Sequence, residues 1–143
     1  MNEVLKTIAA KYKDDIVHTA SELIRRNSQS LHEGEVAAYV QEKMKELGYD
    51  KVEVDRYGNV FGTMKGTGGG SSVMLNCHMD VVYEGDESLW PYPPYSGAIA
   101  EGRVWGRGAS DTKGTMAIQI YVPFLLKEAG LLPKGDIITA AVI

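Results

Sequence analysis

Cysteine is nearly absent from this chain: Cys77 stands alone among 143 residues. No internal disulfide can form, which fits a reducing compartment. An excess of charge of one sign is also lacking. Fifteen Lys and Arg face 19 Asp and Glu, for a net charge of −4, so there is no electrostatic case for nucleic acid or an anionic membrane as partner. No apolar run approaches the roughly 18 residues of a membrane span. The opening MNEVLKTIAAKYKDD has neither the apolar stretch nor the small-residue cleavage site of a secretory signal. No internal repeat and no shift in composition marks a domain boundary. What is present is a chain 44% hydrophobic and 24% charged, long enough for one domain with its own core. A cytoplasmic location is the expectation.

Periodicity supplies the elements. Residues 3–26 read as helix, with Ile16, Thr19, Ala20, Leu23 and Ile24 at helical spacing. A second helix runs from near His32 to Gly48 on a stripe of Val36, Ala37, Val40, Met44 and Leu47. Ser30 and Glu33 offer it a capping box. His18 and His32 read as surface residues. Lys51–Asp55 and Val60–Lys65 form a hairpin, and Gly66–Gly70 reads as a flexible surface connection, since it lacks the Lys-Ser/Thr of a phosphate loop. Val73, Met74 and Leu75 are consecutive apolar residues, as in a strand covered on both faces. The acidic residues Glu84, Asp86 and Glu87 fit a solvated loop. Glu101-Gly102 is the turn of a short hairpin. Residues 113–128 form a buried helix carrying Pro123, and Asp136–Ile143 is a last buried strand. The architecture implied is α/β: a three-layer sandwich with a mostly parallel mixed sheet and helices on both faces.

Two stretches carry chemistry. Asn76, His78 and Asp80 share one face of a strand end, where ligands bind in open α/β sheets. His78 suits zinc, and Asp80 either ligates beside it or holds its other ring nitrogen. Spacing alone leaves a purely structural His–Asp hydrogen bond equally open. Asp111 follows the glycine-rich Gly106-Arg107-Gly108 and precedes an apolar helix. It is either a metal-ligating carboxylate or, the commoner use of such a position, a helix N-cap. Arg107 reads as a clamp for the turn and Lys113 as a solvated first-turn residue. Cys77 points away from His78 and reads as small buried filling. Trp90 and Tyr95 read as core packing, with an entrance to the site as the other option.

The run Cys77-His78-Met79-Asp80-Val81-Val82, followed by Trp90-Pro91-Tyr92-Pro93-Pro94-Tyr95-Ser96-Gly97 and by Gly106-Arg107-Gly108-Ala109-Ser110-Asp111-Thr112-Lys113-Gly114, resembles the metallopeptidase family M20. That family includes acetylornithine deacetylases, succinyl-diaminopimelate desuccinylases, aminoacylases and carboxypeptidases. The likeness spans about residues 10–143. It implies that His78 binds one of two zinc ions (cobalt or manganese being alternatives), that Asp80 orients His78 as a catalytic residue, and that Asp111 bridges both metals, with a cis peptide bond after it. Thr112 departs from the family's usual residue at a position that is not a ligand.

The resemblance further implies that residues 1–143 are the N-terminal portion of a catalytic domain, without the lid and dimerisation domain of a homodimeric full-length protein. The general base and remaining ligands would lie beyond residue 143. The expected activity is metal-dependent hydrolysis of amide bonds in small peptides or N-acyl amino acids, with the chain alone binding zinc weakly and inactive. A non-catalytic binding module on the same fold and a hydrolase using Cys77 stay open as alternatives. The last strand is expected to be left as an unpaired, aggregation-prone edge.

Overall fold

A computed structural model describes residues 3–143. The first helical stretch is two helices, α1 (Glu3–Lys11) and α2 (Lys13–Arg25), broken at Tyr12; α3 spans Gly34–Glu46. The strands are β1 (Lys51–Val54), β2 (Val60–Met64), β3 (Val73–His78), β4 (Ile99–Ala100), β5 (Arg103–Val104) and β6 (Ile137–Val142), with α4 (Gly114–Glu128) between β5 and β6. The expected capping box does not form. The Ser30 hydroxyl donates to Asp80 instead, while Glu33 accepts from the Leu31 amide.

The fold class is the expected one, an α/β arrangement on a mixed sheet. Strand order is β1-β2-β6-β3. The β3–β6 ladder is parallel and joined through α4, whereas β1–β2 and β2–β6 are antiparallel. Parallel pairing is thus confined to the β3–α4–β6 unit; the tight turn at Asp55–Asn59 accounts for β1–β2, since it can only return the chain antiparallel. Asp55 fastens that turn, its carboxylate accepting from the amides of Tyr57, Gly58 and Asn59.

Register places Val60, Gly62 and Met64 of β2 level with Ala141, Thr139 and Ile137 of β6. Met44 of α3 and Met116, Ala117 and Ile120 of α4 share one core with Val60, Met64, Cys77 and Ala141. The described helices therefore pack against this face. The opposite face carries Phe61, Ile138 and Val142, all half-buried, and Met74, which is exposed. In the apolar run Val73-Met74-Leu75, expected to be covered on both faces, Val73 and Met74 are exposed and Leu75 is half-buried. Ile118 is likewise exposed on α4, so that helix is less enclosed than its composition predicts.

The strand expected to be a bare edge is the one best paired. β6 lies between β2 and β3, and the edges are β1 and β3. Local pattern says that Asp136–Ile143 is a strand; only long-range pairing decides which neighbours it takes. Buried polar groups join the layers at Tyr49. Its hydroxyl donates to the Ile120 carbonyl of α4 at 2.8 Å and lies 3.0 Å from Thr139 Oγ1 of β6. Gly62 leaves room for this ring: a Cβ there would lie 2.7 Å from Tyr49 Cδ1. Removing the hydroxyl strands two buried groups, so Tyr49→Phe should cost about 1–2 kcal/mol. In a domain of this size that lowers the midpoint of a thermal melt by about 3–6 °C.

Candidate functional site

His78 is the last residue of β3, and its parallel partner in β6 is Val142, so the imidazole stands at the carboxyl rim of the parallel pair. Thirty-three residues later the chain returns to the same point. His78 Nε2 lies 3.0 Å from Asp111 Oδ1. The other ring nitrogen, Nδ1, lies 3.0 Å from both the Asp80 carbonyl oxygen and Asp80 Oδ1. His78 is thus gripped between two aspartates. Partial burial depresses its pKa, but the hydrogen bond to Asp111, the Asp80 carbonyl and the two carboxylate charges outweigh that, and the net shift is upward.

Asp111 is held out by an unusual local path. Gly106 (φ 143) and Gly108 (φ 82) adopt left-handed backbone. A Cβ on Gly106 would run into Ile24 and lie 2.6 Å from the Pro94 carbonyl oxygen; one on Gly108 would lie 2.6 Å from Val81 Cγ1. The chain then makes a wide irregular turn over Ala109–Lys113, in which Asp111 and Thr112 are non-helical and joined by a cis peptide. The turn closes by the Lys113 amide donating to the Gly108 carbonyl. Helix α4 starts only at Gly114, so Asp111 does not cap it. Its carboxylate faces His78 through Oδ1, and its side chain is 88% exposed.

Lys113 is fully buried, contrary to its expected solvation. Its ammonium donates to the Arg26 carbonyl at 2.6 Å, and burial, with the charge of Arg26 adding to it, brings its pKa down to about 8. Arg107 is the expected clamp: Nη2 donates to the Glu84 carbonyl, and the guanidinium stacks 5.0 Å over Trp90. The acidic loop is more ordered than its composition suggests. Glu84 accepts from Tyr95 and Gln29, and Asp86 caps the short turn Glu87–Leu89. A cleft of about 350 Å³ beside His78 and Asp111 is walled by Val82, Trp90, Val104 and Trp105. Trp90 therefore lines the approach, whereas Tyr95 is not among its walls and donates to the Glu84 carboxylate.

Cys77 is buried, and desolvation pushes its thiol up to about 12. Ellman's reagent should react with it about a thousand times more slowly than with a free thiol at pH 8, and at the free rate in denaturant, since the thiolate is the nucleophile. His18 and His32 are exposed and stand outside the site.

The arrangement suits a metal in part. Two donor atoms each about 2.0–2.2 Å from a shared tetrahedral zinc sit roughly 3.4 Å apart, close to the 3.0 Å between Nε2 and Oδ1. Among the described residues no group of three or more His, Cys, Asp or Glu side chains could hold a metal ion. Nor is any described helix long and apolar enough to cross a membrane.

Comparison with known proteins gives the chain its relatives. The family described as Peptidase family M20/M25/M40 matches residues 74–143, the stretch that holds His78, Asp80 and Asp111. An uncharacterised protein of Escherichia coli, YgeY, is 33% identical over 123 residues, covering 86% of this chain and 30% of the relative. A succinyl-diaminopimelate desuccinylase of Cereibacter sphaeroides is 36% identical over 105 residues, 72% of this chain and 28% of the enzyme. The chain thus spans about a third or less of the length of these relatives. Among solved structures, the M20 metallo-carboxypeptidase Sso-CP2 of Sulfolobus solfataricus superposes with a TM-score of 0.79 at 23% identity, over 89% of this chain and 30% of that one. The Bacillus subtilis protein YXEP, a dinuclear metal-binding peptidase, does so with a TM-score of 0.65 at 14% identity, over 92% and 35%. Motifs, fold and relatives agree: the chain is similar to members of peptidase family M20, whose model matches residues 74–143.

Proposed function

We propose that this chain carries one side of a dinuclear metal centre for amide hydrolysis. In this reading His78 binds one metal ion through Nε2, Asp111 bridges two, and Asp80 holds the His78 ring through Nδ1. The observation that carries the reading is the 3.0 Å approach of Nε2 to Oδ1 between residues from separate elements, at a strand end and on a solvent-facing rim. Support comes from the dinuclear M20 peptidase of similar fold and from the desuccinylase relative. Zinc is the favoured ion, with cobalt and manganese as substitutes. When bound, the metal pair activates a water and polarises the scissile carbonyl.

This chain's own residues do the positioning. Asp80 holds Nδ1, which leaves Nε2 free to ligate, and an anionic neighbour raises the ligand's basicity. The exposed carboxylate of Asp111 has a second oxygen that would serve a second ion. Val82, Trp90, Val104 and Trp105 shield one side of the site from water. Further ligands and a general base come from outside residues 1–143 in this reading. Substrates are N-acyl amino acids or small peptides, and the setting is cytoplasmic, where a buried unpaired thiol is at home.

The test uses a polypeptide extending this chain to the length of its relatives. Hydrolysis of N-acyl amino acids or dipeptides should vanish on chelation and return with zinc, cobalt or manganese. Metal binding without hydrolysis of either class would point to a non-catalytic binding module. Activity that survives chelation but is lost in Cys77→Ala would replace the metal centre with thiol chemistry.

A further inference from the structure

Residues 26–30, the first part of the segment between α2 and α3, lie outside the matched family region and carry none of the ligating groups. Yet they touch both stretches that do. The Arg26 carbonyl accepts from Lys113, two residues after Asp111. The Ser28 carbonyl accepts from the Val81 amide at 2.8 Å, and the fully buried Ser28 hydroxyl donates to the Met79 carbonyl at 2.7 Å. Gln29 bridges Val81 in parallel fashion, and the Ser30 hydroxyl donates to Asp80 Oδ2 at 3.0 Å.

Every residue from 79 to 81 is therefore tied to this segment, and so is the end of the Asp111 turn. We infer that residues 26–30 are a positioning strut which, through Lys113 on one side and Ser28 and Ser30 on the other, sets the separation of His78 from Asp111.

The physical argument is one of shared reference. β3 ends at His78, and after the Met79 amide, which donates to the Val142 carbonyl at 2.6 Å, residues 80 and 81 have no ladder on β6 to define their path. The Asp111 turn is closed mainly on itself, by amide-to-carbonyl bonds from Lys113 to Gly108, Ala109 to Gly106 and Gly114 to Ala109, and meets the end of β3 through the packing of Gly108 on Val81. Two loops each free to drift would not hold two donor atoms 3.0 Å apart. Tied to one five-residue segment at the end of α2, they move together. Lys113 is well suited to the task. Its stem lies against Gly108, where a Cβ would come within 3.2 Å of Cδ. Its charge meets the carbonyl that closes α2, the end of a helix that favours a cation. Lys113, Ser28 and Ser30 are positioning residues and touch no substrate.

The metal-binding arm of the test rests on the proposed function; the other arm does not. Five forms of the 143-residue chain are compared: native, Lys113→Met, Ser30→Ala, Ser30→Thr and Tyr49→Phe. Ser30 is exposed, so its variant folds. Tyr49→Phe controls for lost stability elsewhere in the core. The first readout is 13C relaxation of the His78 ring without metal. The ring should be as ordered as rigid backbone (S² about 0.85) in the native chain and in Tyr49→Phe, and should loosen in Lys113→Met and Ser30→Ala. The second is titration with zinc chloride, where the same two variants should bind at least tenfold more weakly and Ser30→Thr should restore native affinity. Unchanged ring order in both strut variants, or equal loosening in Tyr49→Phe, overturns the inference. Absence of zinc binding in the native chain fits further ligands lying outside it, and leaves the ring-order result to decide the strut.

Discussion

Asp111→Asn is expected to reduce amide hydrolysis by about a thousandfold or more, in a polypeptide extended to the length of its relatives, while leaving the thermal midpoint within a degree or two of native. The side chain is 88% exposed, and its recorded partner is His78. Surface substitutions of this kind shift stability by about 0.5 kcal/mol or less. The amide keeps the size of the carboxylate but has no negative charge and one oxygen instead of two. A carboxylate that bridges two cations cannot be replaced by such a group without weakening both, and each 1.36 kcal/mol lost in the transition state is a factor of ten in rate. His78→Ala should have a similar effect on activity with loss of one metal equivalent by elemental analysis. A tenth or more of native activity at native metal content in Asp111→Asn would rule out the bridging role.

The largest effect on stability is expected far from that rim, at Gly135. The stretch Gly66–Gly70, which reads from its composition as a flexible tether, is laid directly against the turn before β6. The Thr67 amide donates to the Pro133 carbonyl, the Gly68 amide to the Lys134 carbonyl, and the Gly66 amide to Asp136 Oδ1. Gly66, Gly70 and Gly135 meet backbone to backbone. A Cβ on Gly135 would overlap the Ser71 carbonyl and lie 2.9 Å from the Ser72 nitrogen. Ordinary overpacking costs about 1–3 kcal/mol when side chains can swing away. Here main chain must shift at the entry to both β3 and β6, so Gly135→Ala should cost about 3–5 kcal/mol, read as the urea midpoint at constant m. Gly34→Ala is the matching control. It sits at the start of α3 with nothing within 4 Å of the added methyl, and should gain a few tenths of a kcal/mol. Equal stability of the two variants would refute the backbone-packing account.

These two sites mark what a reader of the sequence can and cannot see. His78 and Asp111 were legible because their chemistry is local: a histidine ending an apolar run, and an aspartate in a glycine-rich turn before an apolar helix. Even so, position alone favoured Asp111 as a helix cap, and only the non-helical Asp111-Thr112 pair, which delays α4 to Gly114, removes it from that duty. Lys113 was misjudged because lysine is ordinarily a surface residue, and its partner is a carbonyl 87 positions away. Main-chain acceptors leave no trace in residue type. The same blindness hid residues 26–30 and turned Ser30 into a helix cap when its partner is Asp80. The glycine seam and the central place of β6 share this cause. Both depend on which distant segment arrives alongside, and alternation or composition within one segment carries no record of its neighbour.

The strand order has a bearing on how the protein is made. β2 and β3 are never hydrogen-bonded to each other; the gap between them is filled by Ile137–Val142, which leaves the ribosome about sixty residues after β3. A nascent chain can close the β1–β2 hairpin early, but its sheet stays split, with apolar strand edges bare on both sides of the slot, until that final piece is threaded in. Translation runs at about 5–20 residues per second, so the vulnerable interval lasts several seconds, and a chaperone that binds extended apolar segments would find its target there.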